Sequence, residues 1–178
     1  METTKTIKLT ELETATESAW ADGKVPFFFD TQGSAEVFFR YKAIQVDLCR
    51  TQLALTLNQN TLENVKEDIR KKFISAMANG DTLVFFIDKL MGKFEDYYDE
   101  TYLPREIFDP SKITDPDIYK KVLREDEDKD VFGNKGYFTM KDGFKVAVLS
   151  TRTPEDEDNS DIPENLPVDN FEFVKIEQ

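Results

Sequence analysis

Leu83-Val84-Phe85-Phe86-Ile87-Asp88 is a run of five apolar residues closed by one carboxylate. A strand that is apolar on both faces has to be covered on both faces, which predicts the middle of a parallel sheet wrapped by helices. The preceding residues, 62–79, place apolar side chains at intervals of three and four and stop at Gly80, so they predict an amphipathic helix. Its polar face is expected in solvent and carries Glu63, Lys66, Glu67, Arg70 and Lys71.

Hydrophobic patterning outside this unit predicts further helices and strands in alternation. We expect helices over 7–21 and 35–50, strands over 25–29, 53–57 and 171–176, and a hairpin of 137–140 with 144–150 around Asp142-Gly143. The stretch 90–132 is irregular, with short helices near 91–98 and 115–124. This order predicts an α/β fold, a three-layer sandwich with a mostly parallel sheet of about five strands.

The same pattern suggests how the chain is organised. Residues 1–154 are expected to form a single α/β domain, in which the irregular insert covers about 90–132. Residues 155–167 are acidic and contain proline, so they are expected to be exposed and mobile. Residues 168–178 are expected to hold the final strand and the C-terminus.

Composition excludes several classes of function. The net charge of −13 over 178 residues disfavours nucleic acid and anionic membranes as partners. The absence of histidine removes Ser-His-Asp and Cys-His catalysis, and the single cysteine, Cys49, excludes a disulfide within the chain and a cysteine-based zinc site. No stretch of about twenty apolar residues and no apolar signal segment is present, so we expect a cytoplasmic protein.

Two positions invite comparison with nucleotide-binding proteins. A P-loop fold carries G-x-x-x-x-G-K-[ST] after its first strand, where backbone amides cradle phosphates and the lysine reaches them. Here that place reads Asp30-Thr31-Gln32-Gly33-Ser34, with no lysine and with an acidic residue that would repel a phosphate. Asp88 stands where such proteins hold magnesium, but Lys89 follows it in place of a second carboxylate. We therefore predict no catalytic residue, no cofactor and no metal here.

Other polar groups point to chemistry less specifically. Asp47 is a candidate to join Asp30 and Asp88 in acid–base work. Cys49, among apolar neighbours in a predicted helix, is typical of a packing residue rather than a nucleophile. Asp126, Asp128 and Asp130 imitate the first half of a calcium-binding loop, but the positions that require glycine and glutamate hold Val131 and Tyr137. A solvated charged loop is the simpler interpretation.

Four blocks, taken in order, resemble a known family. Pro26 to Ala35 reads P-F-F-F-D-T-Q-G-S-A and resembles the P-L-x-I-D-P-Q-G-Q-A strand and turn in the fifth AAA+ module of dynein heavy chains. Phe73 to Val84 resembles the helix, glycine and strand of the same module. Phe144 to Pro154 is similar to its F-L-S-T-R-D-P strand end, and Val168 to Phe173 is similar to its closing V-N-F-T-V strand.

The resemblance implies a P-loop-type α/β domain that has lost its phosphate loop. In the family this module is a structural member of a ring and hydrolyses no nucleotide. The present chain is one isolated module, Thr31 replaces the family's proline, the insert differs, and acidic residues after Pro154 replace an apolar P-P-D-x-C-S-R-V run. The fold therefore carries over, the ring-motor role does not, and no catalytic residue is implied.

Alternative functions stay open from the sequence. The first is a non-catalytic structural or interaction protein, not an enzyme, with protein partners in a cytoskeletal, axonemal or ciliary assembly. The second is a weak binder of a nucleotide or small ligand that uses Asp30, Asp88 and Arg152 at the carboxyl edge of the sheet, with Arg152 as the phosphate contact. A third, a thioredoxin-like or flavodoxin-like carrier, is disfavoured in its thioredoxin form because Cys49 lies outside any C-x-x-C.

Overall fold

A computed structural model describes residues 5–88 and 92–177, of which 157 and 158 are described in their backbone only. Its centre is one sheet of six strands in which every neighbouring pair is parallel. In chain order the strands are β1 (Lys5–Lys8), β2 (Val25–Phe29), β3 (Ala43–Asp47), β4 (Thr82–Ile87), β5 (Lys145–Ser150) and β6 (Phe171–Glu177). Their spatial order is β1-β6-β2-β5-β4-β3. The predicted α/β class is confirmed, with one strand more than expected.

Helices cover both faces of this sheet and complete a three-layer sandwich. They are α1 (Leu12–Ala21), α2 (Ser34–Lys42), α3 (Leu48–Thr56), α4 (Leu62–Asn79), α5 (Pro110–Ile113), α6 (Pro116–Tyr119) and α7 (Ile162–Asn165). Within the described residues, no helix is both long and apolar enough to cross a membrane.

The two faces of the strands belong to two separate cores, because side chains alternate along a strand. Phe28 and Val84 pack with Leu12 of α1 and Phe39 of α2 on one face. The opposite face packs against α4 and the insert, and its core includes Phe27, Phe29, Phe85, Val146 and Val148 of the strands. The central strand predicted at 82–88 and the helix predicted at 62–79 are thus confirmed as β4 and α4.

Both elements that were predicted within 43–57 were wrong. The predicted helix 35–50 ends at Lys42, because Ala43 is extended and begins β3 beside β4. The predicted strand 53–57 belongs to α3, which starts where the Asp47 carboxylate accepts the N–H of Arg50 at 2.8 Å. An apolar and polar alternation of five residues is too short to separate a strand from one side of a helix.

Two further predictions were wrong at the borders of the sheet. The helix expected over 7–21 begins at Leu12, because Lys5–Lys8 is β1 and pairs with β6. Residues 144–150 form no hairpin with 137–140, because β5 lies in the middle of the sheet between β2 and β4. Gly143 has φ 102° and approaches the end of α4 so closely that a Cβ would lie 2.9 Å from the carbonyl oxygen of Gly80. The Asp142-Gly143 turn therefore starts a parallel strand against α4.

The insert and the acidic segment are better packed than expected. The short helix predicted near 115–124 is confirmed as α6 followed by a 3₁₀ turn at 120–122. Of the helix expected near 91–98, residues 94–96 are a 3₁₀ turn, and Met91 lies outside the described residues. Residues 155–167 were expected to be exposed, but they include the buried side chains of Asn159, Ile162 and Leu166. Arg70 was expected in solvent and is buried against the insert.

Candidate functional site

Asp30, Asp88 and Arg152 lie on one edge of the sheet, as the sequence predicted. Asp30 and Asp88 directly follow β2 and β4, and Arg152 comes two residues after β5, which lies between those strands. The N–H of Asp30 donates to the carbonyl oxygen of Ser150 at 2.8 Å. The Arg152 guanidinium donates to the carbonyl oxygen of Asp88 at 2.9 and 3.2 Å. The carboxyl ends of three neighbouring strands are thus tied together.

The Asp30 carboxylate is bonded to the start of α2. Its two oxygens accept the backbone N–H groups of Ala35 at 2.5 Å and Gln32 at 3.1 Å, and the residue is 3% exposed. These amides belong to the turn and first residues of α2, where a helix offers unpaired donors to an anion. Gly33, with φ 74°, lets the turn fold back over the carboxylate. The Asp30 carboxylate therefore satisfies N–H groups at the start of α2.

Asp88 is likewise bonded within the chain. Its carboxylate accepts the hydroxyl of Thr151 at 2.5 Å. The β4–β5 register places Ile87 beside Ser150, so the next residue of each strand end meets its counterpart. The Asp88 carboxylate is therefore held by a threonine hydroxyl, a contact that the sequence analysis missed.

Arg152 is the buried centre of this edge. Its side chain is only 2% exposed, and its guanidinium forms a two-pronged ion pair with Asp161 at 2.5 and 3.0 Å. The backbone N–H of Arg152 also donates to the hydroxyl of Ser150 at 3.2 Å. Such bidentate pairing with a carboxylate fixes both the position and the orientation of a guanidinium. The predicted phosphate contact is thus bound to a carboxylate of the acidic segment.

The acidic segment closes over the strand ends. Asn159 donates its amide N–H groups to the carbonyl oxygens of Thr153 at 2.7 Å and Pro154 at 3.2 Å. Its side-chain oxygen is buried and has no hydrogen-bond partner among the described residues. Ile162 and Leu166 add apolar packing on the same segment. Asp161 and Asn159 were missed from the sequence because acidic and amide residues in a polar run carry no periodic signal.

The remaining candidate residues bond elsewhere, although Asp47 ends β3 on the same carboxyl edge of the sheet. Asp47 caps α3 at the outermost strand of the sheet, and Cys49 lies half-buried in that helix. Asp128 and Asp130 accept backbone N–H groups of their own loop at 2.8 to 3.2 Å. Within residues 5–88 and 92–177, no group of three or more acidic or cysteine side chains is arranged to hold a metal ion.

The geometry defines an α/β domain whose strand ends are closed by its own side chains. A comparison of the chain with known protein families gives no match, and a comparison with curated proteins gives none either.

Proposed function

We propose that this chain is a non-catalytic interaction protein built on a degenerate AAA+-like domain. Its partners are other proteins, and neither nucleic acid nor membrane. The resemblance to the dynein module favours a cytoplasmic setting in a cytoskeletal or ciliary assembly, where such a domain serves as a structural part.

The observation that carries this proposal is the position of the Asp30 carboxylate. It is buried, and it accepts the amides at the start of α2 that an incoming phosphate would need. A phosphate would have to displace a carboxylate of the same charge sign and then lie against it, which is unfavourable in a buried site. Phosphate binding at this position is therefore disfavoured by the chain's own carboxylate.

The order of the strands supports the AAA+-like part of the proposal. In a P-loop-type α/β sheet, the strand before the phosphate loop and the strand that ends on the magnesium ligand both end at the carboxyl edge, where ligands bind. Here β2, which precedes Asp30, and β4, which precedes Asp88, end at the same edge on the two sides of β5. Fold-level likeness of this kind supports an ancestry, while the chemistry has to be argued from the site.

Thermal melting with and without millimolar Mg-ATP or Mg-GTP tests the loss of nucleotide binding. We expect no shift of the melting temperature. A ligand present at about a hundred times its Kd adds about 2.7 kcal/mol to the folded state, which moves the midpoint by several degrees. Lys42→Ala is the control for unspecific binding of anions, since Lys42 lies at the opposite end of α2 from Asp30 and its side chain is 61% exposed.

The alternative function is a weak nucleotide or small-ligand site made of Asp30, Asp88 and Arg152. It is favoured by the buried oxygen of Asn159, which has no partner among the described residues beside this edge. Binding there would require Arg152 to exchange Asp161 for a ligand phosphate. A rise of several degrees with nucleotide, retained in Lys42→Ala and lost in Asp88→Ala or Arg152→Ala, would establish this alternative and overturn the proposal.

A further inference from the structure

The two borders of the sheet are built differently. β1 forms one border and carries Lys5 and Lys8, charged residues of the kind that keep a strand edge from pairing with another chain. β3 forms the other border, reads Ala43-Ile44-Gln45-Val46-Asp47 and contains neither lysine nor proline. It pairs with β4 on one side, and no strand of the described chain lies on its other side.

Four of the eight large apolar side chains that are exposed in the described part of the chain lie on or at the end of the two helices next to β3. Val37 and Tyr41 of α2 are 51% and 83% exposed, and Leu53 of α3 and Leu57 at its end are 48% and 55% exposed. A cleft of about 510 Å³ runs along this side, lined by Gln45 and by residues of α2, α3 and α4. We call β3 together with these four side chains the β3 border.

Leu53 and Leu57 lie beside the cleft. Arg50 and Ala54 of α3 line it, and residues at spacings of three and four share one side of a helix. The leucines therefore extend the surface outward from the open strand. A stable dimer buries about 800 Å² per partner, which is more than a five-residue strand offers by itself, so such flanking side chains are needed.

The β3 border is electrically balanced in an acidic molecule. The cleft is lined by three acidic residues, Glu36, Asp47 and Asp68, and by three basic residues, Arg40, Arg50 and Lys72. Glu36 pairs with Arg40 at 2.6 Å, and Asp68 pairs with Lys72 at 3.0 Å. Because the whole chain carries −13, two copies repel each other over most orientations, but not where these neutral surfaces meet.

We propose that the β3 border is the interface of a two-fold symmetric dimer, in which β3 pairs antiparallel with β3 of a second copy. A register centred on Gln45 places Ile44 opposite Val46 of the second copy on the α4 side, and it places Asp47 opposite Ala43, so no like charges face each other. The result is one continuous sheet of twelve strands, formed by main-chain hydrogen bonds across the two-fold axis.

Sedimentation equilibrium of the full chain over about 1 to 100 μM tests this dimer. We expect a concentration-dependent mass that rises from 20.6 kDa toward twice that value. Leu53→Glu combined with Leu57→Glu should raise the dissociation constant at least about tenfold, because it places four buried like charges at the interface. Both leucines are half-exposed in the single chain, so the variant is expected to stay folded.

The matched control is Val131→Glu combined with Phe132→Glu, which adds the same charge to two side chains that are 93% and 86% exposed at a distant loop. It should dimerise like the parent chain. Hydrogen exchange at the amides of β3 should slow as the concentration rises. A parent chain that remains at 20.6 kDa, equal weakening by both double variants, or a dimer with unprotected β3 amides would overturn the inference. The proposed loss of nucleotide binding is tested separately, since the β3 border uses none of Asp30, Asp88 and Arg152.

Discussion

Arg70 shows how one residue can join two parts of the molecule. It lies on α4 and is 2% exposed, although its sequence position belongs to the polar face of that helix. Its guanidinium donates to both carboxylate oxygens of Glu67 and of Glu127, at 2.6 to 3.0 Å, and to the carbonyl oxygen of Val122 at 2.8 Å. Two of these partners belong to the insert, so the contact fixes the insert on the sheet.

Arg70→Met should lower the free energy of unfolding by about 1.5 to 3 kcal/mol, because it removes buried hydrogen bonds to charged groups. Glu67 keeps longer contacts with Arg124 at 3.5 Å and Lys71 at 3.9 Å, whereas Glu127 loses the cation that it pairs with. Urea unfolding at neutral pH measures the change. Arg105→Met is the control, since Arg105 pairs with Glu95 in full solvent and both side chains are 64% exposed. An equal loss in the two variants would show that the buried position of Arg70 is unimportant.

The pH dependence of the free energy of unfolding, compared between the parent chain and Arg70→Met, gives a second measure of the Arg70 contact. Hydrogen bonding from Arg70 is the main cause that holds the pKa of Glu67 and of Glu127 below the ordinary value of 4.5. A pKa that is depressed in the folded state adds stability that is present above 4.5 and is lost as the pH falls through the lowered value. The stability difference between parent and Arg70→Met should therefore shrink below pH 4.5.

At the scale of elements, the ion pair of Asp161 with Arg152 fastens the acidic segment to the strand ends. Asp161 holds Arg152 at the strand ends, and Ile162 and Leu166 pack behind it. The sequence predicted the edge of the sheet on which Asp30, Asp88 and Arg152 meet, because each follows a recognisable strand. It did not predict what closes the edge. The pairing of Arg152 with Asp161 is a tertiary contact across an irregular turn, and such contacts produce no periodic pattern of residues in the sequence.

Asp161→Asn should expose this segment to proteases and lower the free energy of unfolding by about 2 kcal/mol, because a hydrogen-bonded charge pair is lost and the Arg152 charge stays buried. Limited proteolysis with mass spectrometry should find new cuts within 153–167. Glu164→Gln is the matched control, since Glu164 is an exposed acid on α7 of the same segment. Identical digestion of the two variants would contradict the role of Asp161.

The elements that the sequence predicted best are those with strong patterns of their own. β2, α4, β4 and β6 follow from apolar runs or from a long helical period. The predictions for 43–57 were wrong because its two elements are short and lie at the border of the sheet, where β3 is only partly buried. The predicted hairpin was wrong because contact with Gly80, which is remote in sequence, determines the conformation of the Asp142-Gly143 turn. At such positions, packing against remote residues overrides the local turn propensity.

At the scale of the whole molecule, the two ends of the chain meet in the sheet. β6 lies between β1 and β2, and β1 pairs with no other strand of the described chain, with Lys5 beside Val174. The sheet is therefore completed only when the last residues arrive. Four side chains of β6 are buried, namely Phe171, Phe173, Val174 and Ile176.

A variant that ends at Pro154 should consequently fail to form a stable fold. Burial of each of the four β6 side chains contributes about 1.5 to 3 kcal/mol, together about 6 to 12, which is comparable with the whole stability of a domain, about 5 to 15 kcal/mol. The loss also leaves β1 unpaired and removes Asp161 from Arg152. Near-ultraviolet circular dichroism should lose its aromatic signal, and urea unfolding should lose its cooperative step.

A variant that ends at Ile176 keeps all four side chains and removes only the exposed Glu177 from β6, so it should unfold like the parent chain. A cooperative transition in the variant that ends at Pro154 would mean that β2 to β5 hold the fold without their neighbour.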